Sequence, residues 1–249
     1  MKNPGAVLAV CLFGLAPAAF GQTGPVTIPR GFVSVGGGYQ VNSNDFQDSA
    51  TWRLNAEDAQ RQARYEVKAA PTFDLAGGAT LWRQLGVSVG VSQYSQSTAT
   101  TLTASLPHPF FFNRARSVDG AVANLSRKEL AVHVQARGIF PVSPRVLVMV
   151  FGGPSFFRVS QGVVTDITYT EDYPYDTASF DSAVSIGAEE SKVGFNVGGD
   201  VAFFFARQVG IGFTARYAAA SVELTSSAGK TIEVKAGGMQ IGAGLQLRF

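Results

Sequence analysis

From Met239 to Phe249, apolar residues fall at every second position: Met239, Ile241, Ala243, Leu245, Leu247 and Phe249. Small or polar residues lie between them, namely Gln240, Gly242, Gly244, Gln246 and Arg248. A period of two over that length predicts a strand with one greasy face. The pattern recurs at Val193, Phe195, Val197, Val201 and Phe203, and again at Val209, Ile211, Phe213, Ala215 and Tyr217. Earlier rows run through Phe73, Leu75, Ala79 and Leu81, through Leu85, Val87, Val89 and Val91, and through Leu130, Val132, Val134 and Ala136. Two segments are less regular: 146–157 is apolar on both faces, and glycines interrupt 31–39. Eight strands are expected, near 31–40, 65–82, 85–101, 128–140, 146–162, 190–204, 208–222 and 232–249.

The connections between these segments are unequal. Three are short, at Arg83-Gln84, Pro141 to Arg145 and Ala206 to Gln208; the others run over 41–64, 102–127 and 163–189, with a shorter one at 223–231. Tight turns on one rim and long loops on the other are the layout of a transmembrane barrel. In the first long loop, Asn55-Ala56-Glu57-Asp58 reads as an N-cap opening a short helix through about Arg64. Aromatics gather beside the short turns (Trp82, Phe140, Phe203, Phe204, Phe205, Phe249) and about a membrane thickness away (Tyr94, Phe156, Phe157, Tyr217), as two interfacial girdles would. A soluble β-sandwich is the competing fold. Its difficulty lies in the residues between the apolar rows, which include Asp74, Glu129, Arg137, Asp200, Arg216 and Arg248. A barrel places such groups in its lumen.

With these features the chain resembles the small eight-stranded outer-membrane β-barrels of the OmpA/OmpX type. The resemblance rests on the strand count, the loop asymmetry, an export leader and the alternating last strand. It implies an all-β, antiparallel up-and-down transmembrane barrel with periplasmic termini and extracellular loops. It also implies that Phe249 is the terminal aromatic read by the outer-membrane insertion machinery. Expected partners are outer-membrane lipid, lipopolysaccharide and that machinery, with an extracellular protein as a further partner. No residue-level signature of function comes with the resemblance.

The leader itself is a basic Lys2, an apolar run from Ala6 to Phe20, and small residues at Ala19 and Gly21. Cleavage is expected after Gly21, with Ala18 the second choice, giving a signal peptide over 1–21 and one barrel domain over 22–249. The apolar run is shorter than the ~20 residues a membrane-spanning helix needs. The only cysteine, Cys11, lies within it, so the mature chain has no disulfide or thiolate metal site. Charge is nearly balanced, at 20 Lys and Arg against 18 Asp and Glu, and nothing indicates nucleic acid. The 28 glycines and 19 phenylalanines, with only 15% charged residues, fit Gly-rich aromatic strands.

Candidate chemistry is sparse. A hydrolytic or acyl-transfer site needs a base, and only His108 and His133 are available. His133 sits on the polar face of its strand with Glu129, and Ser88 or Ser92 could face it. Packing and hydrogen bonding in a lumen is the plainer role. The acidic stretch with Asp166, Glu171, Asp172, Asp176 and Asp181 fits no EF-hand spacing, and no metal or cofactor is expected. Phe110, Phe111 and Phe112, followed by Arg114 and Arg116, suit an interface with lipopolysaccharide phosphates or a partner protein, or an extension of the outer girdle.

The function expected is therefore a noncatalytic outer-membrane barrel with a structural or surface-interaction role. Its lumen is expected to be plugged by a charge network of Asp74, His133, Arg137, Asp200 and Arg216, with Glu66, Lys68 and Glu129 nearer the outer mouth. Eight strands leave room for side chains rather than an aqueous channel. The alternatives are a narrow pore for small solutes or hydrophobic molecules, and a lipid-modifying enzyme using His133.

Overall fold

The computed structural model describes residues 28–41, 45–225 and 231–249. The expected leader and its cleavage point lie outside the described residues. Ten strands follow one another: β1 (Gly31–Gln40), β2 (Phe46–Leu54), β3 (Glu57–Glu66), β4 (Ala70–Trp82), β5 (Leu85–Pro107), β6 (Ala115–Ser143), β7 (Val146–Thr170), β8 (Ser179–Phe204), β9 (Val209–Thr225) and β10 (Thr231–Arg248). Eight of them close a ring in which each pairs antiparallel with its chain neighbour, β4 through β10, and β1 joins β10 to β4. The protein is thus the eight-stranded up-and-down transmembrane barrel that the alternation predicts. Closure leaves no free edge in the spanning region, where lipid could not satisfy backbone groups.

The inside–outside register of the spanning part follows the same alternation. Val197, Ile211 and Leu245 face outward and are exposed, while Gly212 and Gln246 face inward and are buried. Trp82, Phe140, Phe203, Phe205 and Phe249 stand exposed near the short turns, and Phe156 and Tyr217 near the other end. Tyr94, Phe157 and Phe204 do not join these girdles; they turn inward and are buried.

Three sequence expectations need correction. The helix expected over Asn55 to Arg64 is a β-hairpin: β2 pairs β3, and Asn55 and Ala56 make its two-residue turn with φ of 50° and 64°. Two consecutive left-handed residues are what a tight hairpin turn of this kind requires. The strand expected over 65–82 is two strands, since β3 ends at Glu66 and β4 begins at Ala70. The long loops expected over 102–127 and 163–189 are mostly strand, because β5 and β6, and β7 and β8, stay paired far beyond the membrane belt. Only 108–114 and 171–178 connect them.

Beyond the belt the interior changes character while the period of two continues. On β9 the inward residues Gly212, Thr214 and Arg216 give way to Ala218, Ala220, Val222 and Leu224, and the outward residues Ile211, Phe213 and Tyr217 give way to Ser221 and Glu223. The same inversion across the other strands builds a second core above the membrane. Tyr65, Leu102, Leu106, Val159, Val222 and Val234 are all buried in it. At the opposite end, Ile139, Leu147, Met149, Ala202 and Phe204 form a smaller apolar cluster against Ile28.

Candidate functional site

Between these two apolar layers the lumen is polar and cross-linked by side chains from nearly every strand. Arg216 on β9 donates to Asp74 on β4 at 2.5 Å and to Gln240 on β10 at 2.9 and 2.6 Å. Gln240 donates to Gln40 on β1 at 2.9 Å, and Gln40 donates to the Gly237 carbonyl at 2.8 Å. On the facing wall, Arg137 donates to Ser88 at 2.8 Å, Ser88 to Gln135 at 3.0 Å, Gln135 to Asn196 at 2.7 Å and Asn196 to Ser155 at 2.8 Å. His133 is fully buried, with Ser92 Oγ 2.9 Å from Nε2 and Ser155 Oγ 2.7 Å from Nδ1. Such residues are placed by parity alone: each sits on the inward step of its strand.

The five residues expected to form the lumen network all lie in this layer, but they pair selectively. Asp74 and Arg216 form an ion pair. Arg137 and Asp200 do not form one among the described residues. The Arg137 guanidinium instead packs between the rings of Phe32 and Phe151, at 4.2 and 4.9 Å, and Asp200 accepts from Thr214 at 2.6 Å. The other carboxylate oxygen of Asp200 and the amide oxygen of Gln246 have no partner among the described residues. Both lie about 3.5 Å or less from where a side chain on Gly212 would begin. They help line a cavity of about 50 Å³ with Asp74, Thr214 and Arg216. Glu66 and Lys68 face each other at 3.8 Å on the exposed surface, outside this network.

Arg127 and Glu129 close the layer toward the long hairpins. Arg127 is fully buried, donates to Glu129 at 2.8 and 2.6 Å, and reaches the Lys235 carbonyl at 2.8 Å. Glu129 accepts the Gly237 N–H at 2.8 Å. Two charges buried at such depth are tolerable because each is paired and further hydrogen-bonded. Arg127 is not among the lumen charges expected from the sequence. The signal available was parity: Arg127, Glu129, His133, Gln135 and Arg137 all occupy odd positions of one strand, with only Ala131 interrupting the row.

At the far tip, Phe110, Phe111 and Phe112 are exposed by 67%, 56% and 72%, beside Tyr173 at 84%. The tip lies roughly 40 Å along β6 from Arg127 at ~3.3 Å per residue, so these rings are not part of a membrane girdle. Hydrogen bonds from His108 shape the loop. The Nδ1 of buried His108 accepts the N–H groups of Phe110 and Phe111 at 3.1 and 3.3 Å, and the His108 backbone N–H donates to the Arg114 carbonyl at 2.9 Å. The two arginines expected to meet phosphate are engaged internally: Arg114 with Asp176 at 3.0 Å, and Arg116 with Glu171 and the Tyr175 carbonyl. The acidic stretch thus supplies counter-charges to the basic one through Glu171 and Asp176. Among the described residues no group of three or more His, Cys, Asp or Glu side chains could hold a metal.

Phe249 seals the ring seam. Its carbonyl accepts the N–H groups of Arg30 and Gly31 at 2.8 and 3.0 Å, and its own N–H donates to the Gly31 carbonyl at 3.1 Å. The ring stays exposed on the outer face.

No family model matches the chain, and no curated protein matches it. Among solved structures, Neisserial surface protein A is similar over 88% of this chain and 97% of its own, at 11% identity and a TM-score of 0.44. The attachment invasion locus protein Ail of Yersinia pestis, in complex with the heparin analogue sucrose octasulfate, is similar over 87% of this chain and 99% of its own, at 13% identity and a TM-score of 0.38. The outer membrane protease OmpT from Escherichia coli is similar over 88% and 97%, at 10% identity and a TM-score of 0.42.

Proposed function

We propose that this protein is a noncatalytic outer-membrane barrel whose paired hairpins project outward from the cell and present an aromatic tip to an extracellular partner. In this reading residues 1–21 are removed on export, the short turns and both ends of the barrel domain are periplasmic, and Phe249 serves insertion. The observation that carries the reading is the contrast between the two ends of the molecule. Along the lumen lie an apolar layer, a hydrogen-bonded polar layer and a second apolar layer, whereas Phe110, Phe111, Phe112 and Tyr173 stand exposed at the far tip. Contiguous exposed aromatics in such numbers mark interaction surfaces. Arg116 is buried against Glu171 and Arg114 pairs with Asp176 at the surface, so the exposed aromatic rings are the main contribution of this tip.

The alternatives have less support. A pore needs a continuous water path, and the buried layers oppose one. An enzyme using His133 needs a carboxylate to orient the imidazole and access for substrate. The hydrogen-bonding partners of both ring nitrogens of His133 are serines, and the ring is fully buried.

The test is adhesion. Bacteria displaying the protein should bind immobilised host cells or matrix proteins, and the triple change Phe110→Ser, Phe111→Ser, Phe112→Ser should abolish the increment while the barrel still assembles. Equal binding by displaying, triple-variant and non-displaying cells would remove the interaction role.

A further inference from the structure

The barrel wall splits at one place. β8 and β9 pair only as far as Phe195 with Ala219. Beyond that point β8 continues with β7 to Ser179, and β9 continues with β10 to Thr225 and Thr231. The diverging hairpins leave a notch of about 360 Å³, within the size range of small-ligand sites. Its rim is Val193, Phe195 and Tyr217, all exposed, with the last two rings 6.1 Å apart. Ala219 and two left-handed glycines, Gly237 and Gly238 with φ of 82° and 144°, form the floor.

The notch sits where the outward face of β9 changes from apolar Tyr217 to polar Ser221 and Glu223. That change marks the level of the lipid headgroups. Lys235 stands exposed beside it and makes no ion pair among the described residues, while the neighbouring Glu223 is held by Lys192 at 3.9 Å. Glu233 lies one outward step farther from the membrane. From the lumen side the floor is fixed: Glu129 holds the Gly237 N–H and Arg127 the Lys235 carbonyl. The notch is therefore a preformed recess open toward the membrane and backed by a buried ion pair.

We infer that this recess binds one anionic phosphate-bearing lipid, its acyl chain laid against Val193, Phe195 and Tyr217 and its phosphate at Lys235. The apolar rim faces the hydrocarbon and the unpaired ammonium faces the headgroups, so the two ends of the recess match the two ends of such a lipid. Under the orientation proposed above the adjoining leaflet is the outer one, and the ligand is lipid A.

The experiment is native mass spectrometry of the full barrel in detergent, titrated separately with lipid A, phosphatidylglycerol, uncharged diacylglycerol and inorganic phosphate. Expected is stoichiometric retention of a phosphate-bearing lipid. Ala219→Trp, which fills the recess, should abolish retention, and Lys235→Ala should weaken it about fivefold, the weight of one lysine at a membrane surface. Lys128→Ala, an exposed cation on β6 away from the recess, should leave it unchanged. A heat-dependent gel shift checks that each variant is assembled, and Lys235→Ala keeps the test open if Ala219→Trp is not. Retention indifferent to both substitutions, or equal for diacylglycerol, would overturn the site. Preference for phosphatidylglycerol over lipid A would instead support the site while overturning the outward orientation.

Discussion

Arg216 on β9 reaches Asp74 on β4 at 2.5 Å, joining two strands separated in the ring by β10 and β1. The arginine is nearly buried and the carboxylate about one-third exposed. Removing Asp74 leaves Arg216 with Gln240 alone. Asp74→Ala should lower the unfolding free energy by about 2 kcal/mol, below the 3–5 of a fully buried pair because water reaches the carboxylate. Urea unfolding in lipid vesicles measures it. Asp74→Ala combined with Arg216→Met should recover much of the loss, since the uncompensated charge is then gone; an additive double variant would contradict the pairing.

Neighbouring strands approach too closely for a side chain at several glycines, Gly153 among them. A Cβ on Gly153 would meet the Val134 carbonyl at 2.1 Å, whereas one on Gly187, in the projecting hairpin, would meet nothing within 4 Å. Gly153→Ala should impair assembly, seen as loss of the heat-dependent gel shift, and Gly187→Ala should assemble as the unaltered chain does. Equal behaviour of the two would refute the close approach of β6 and β7 at this point.

The core above the membrane has a titratable reporter. Tyr65 stacks on Phe46 at 4.4 Å, and its hydroxyl oxygen accepts the Val164 N–H at 2.8 Å. Burial pushes the phenol up from its ordinary 10 to about 12. A raised tyrosine favours the fold through its neutral form. The contribution is intact below pH 10 and is lost as pH rises toward 12. The phenolate difference spectrum between the unaltered protein and Tyr65→Phe should therefore appear near pH 12. Appearance near pH 10 would mean that the projecting hairpins do not pack over Tyr65.

The eight spanning strands were legible because lipid demands apolar side chains at every second position, a signal that Val209 to Tyr217 or Met239 to Phe249 displays without help from context. The projecting hairpins were not, although they alternate too. Past Tyr217 the inward residues become Ala218, Val222 and Leu224 and the outward ones polar, so the apolar row changes face and looks like a strand ending. The turn at Asn55-Ala56 lacked the Asn-Gly signature, and its acidic successors imitated a helix start. In the lumen, parity identified the inward charges, but shear decided which of them meet. Arg216 consequently found Asp74, while Arg137 settled between two rings.

Conductance in planar lipid bilayers tests the closed lumen most directly. With apolar layers at Phe204 and Leu147 on one side and at Leu102 and Val222 on the other, the unaltered barrel should insert without measurable steady current. Arg127→Ala, which removes the side chain tying β6 to the Lys235 carbonyl, should at most produce brief openings. A sizeable steady conductance from the unaltered protein would contradict the closed lumen and make the protein a pore.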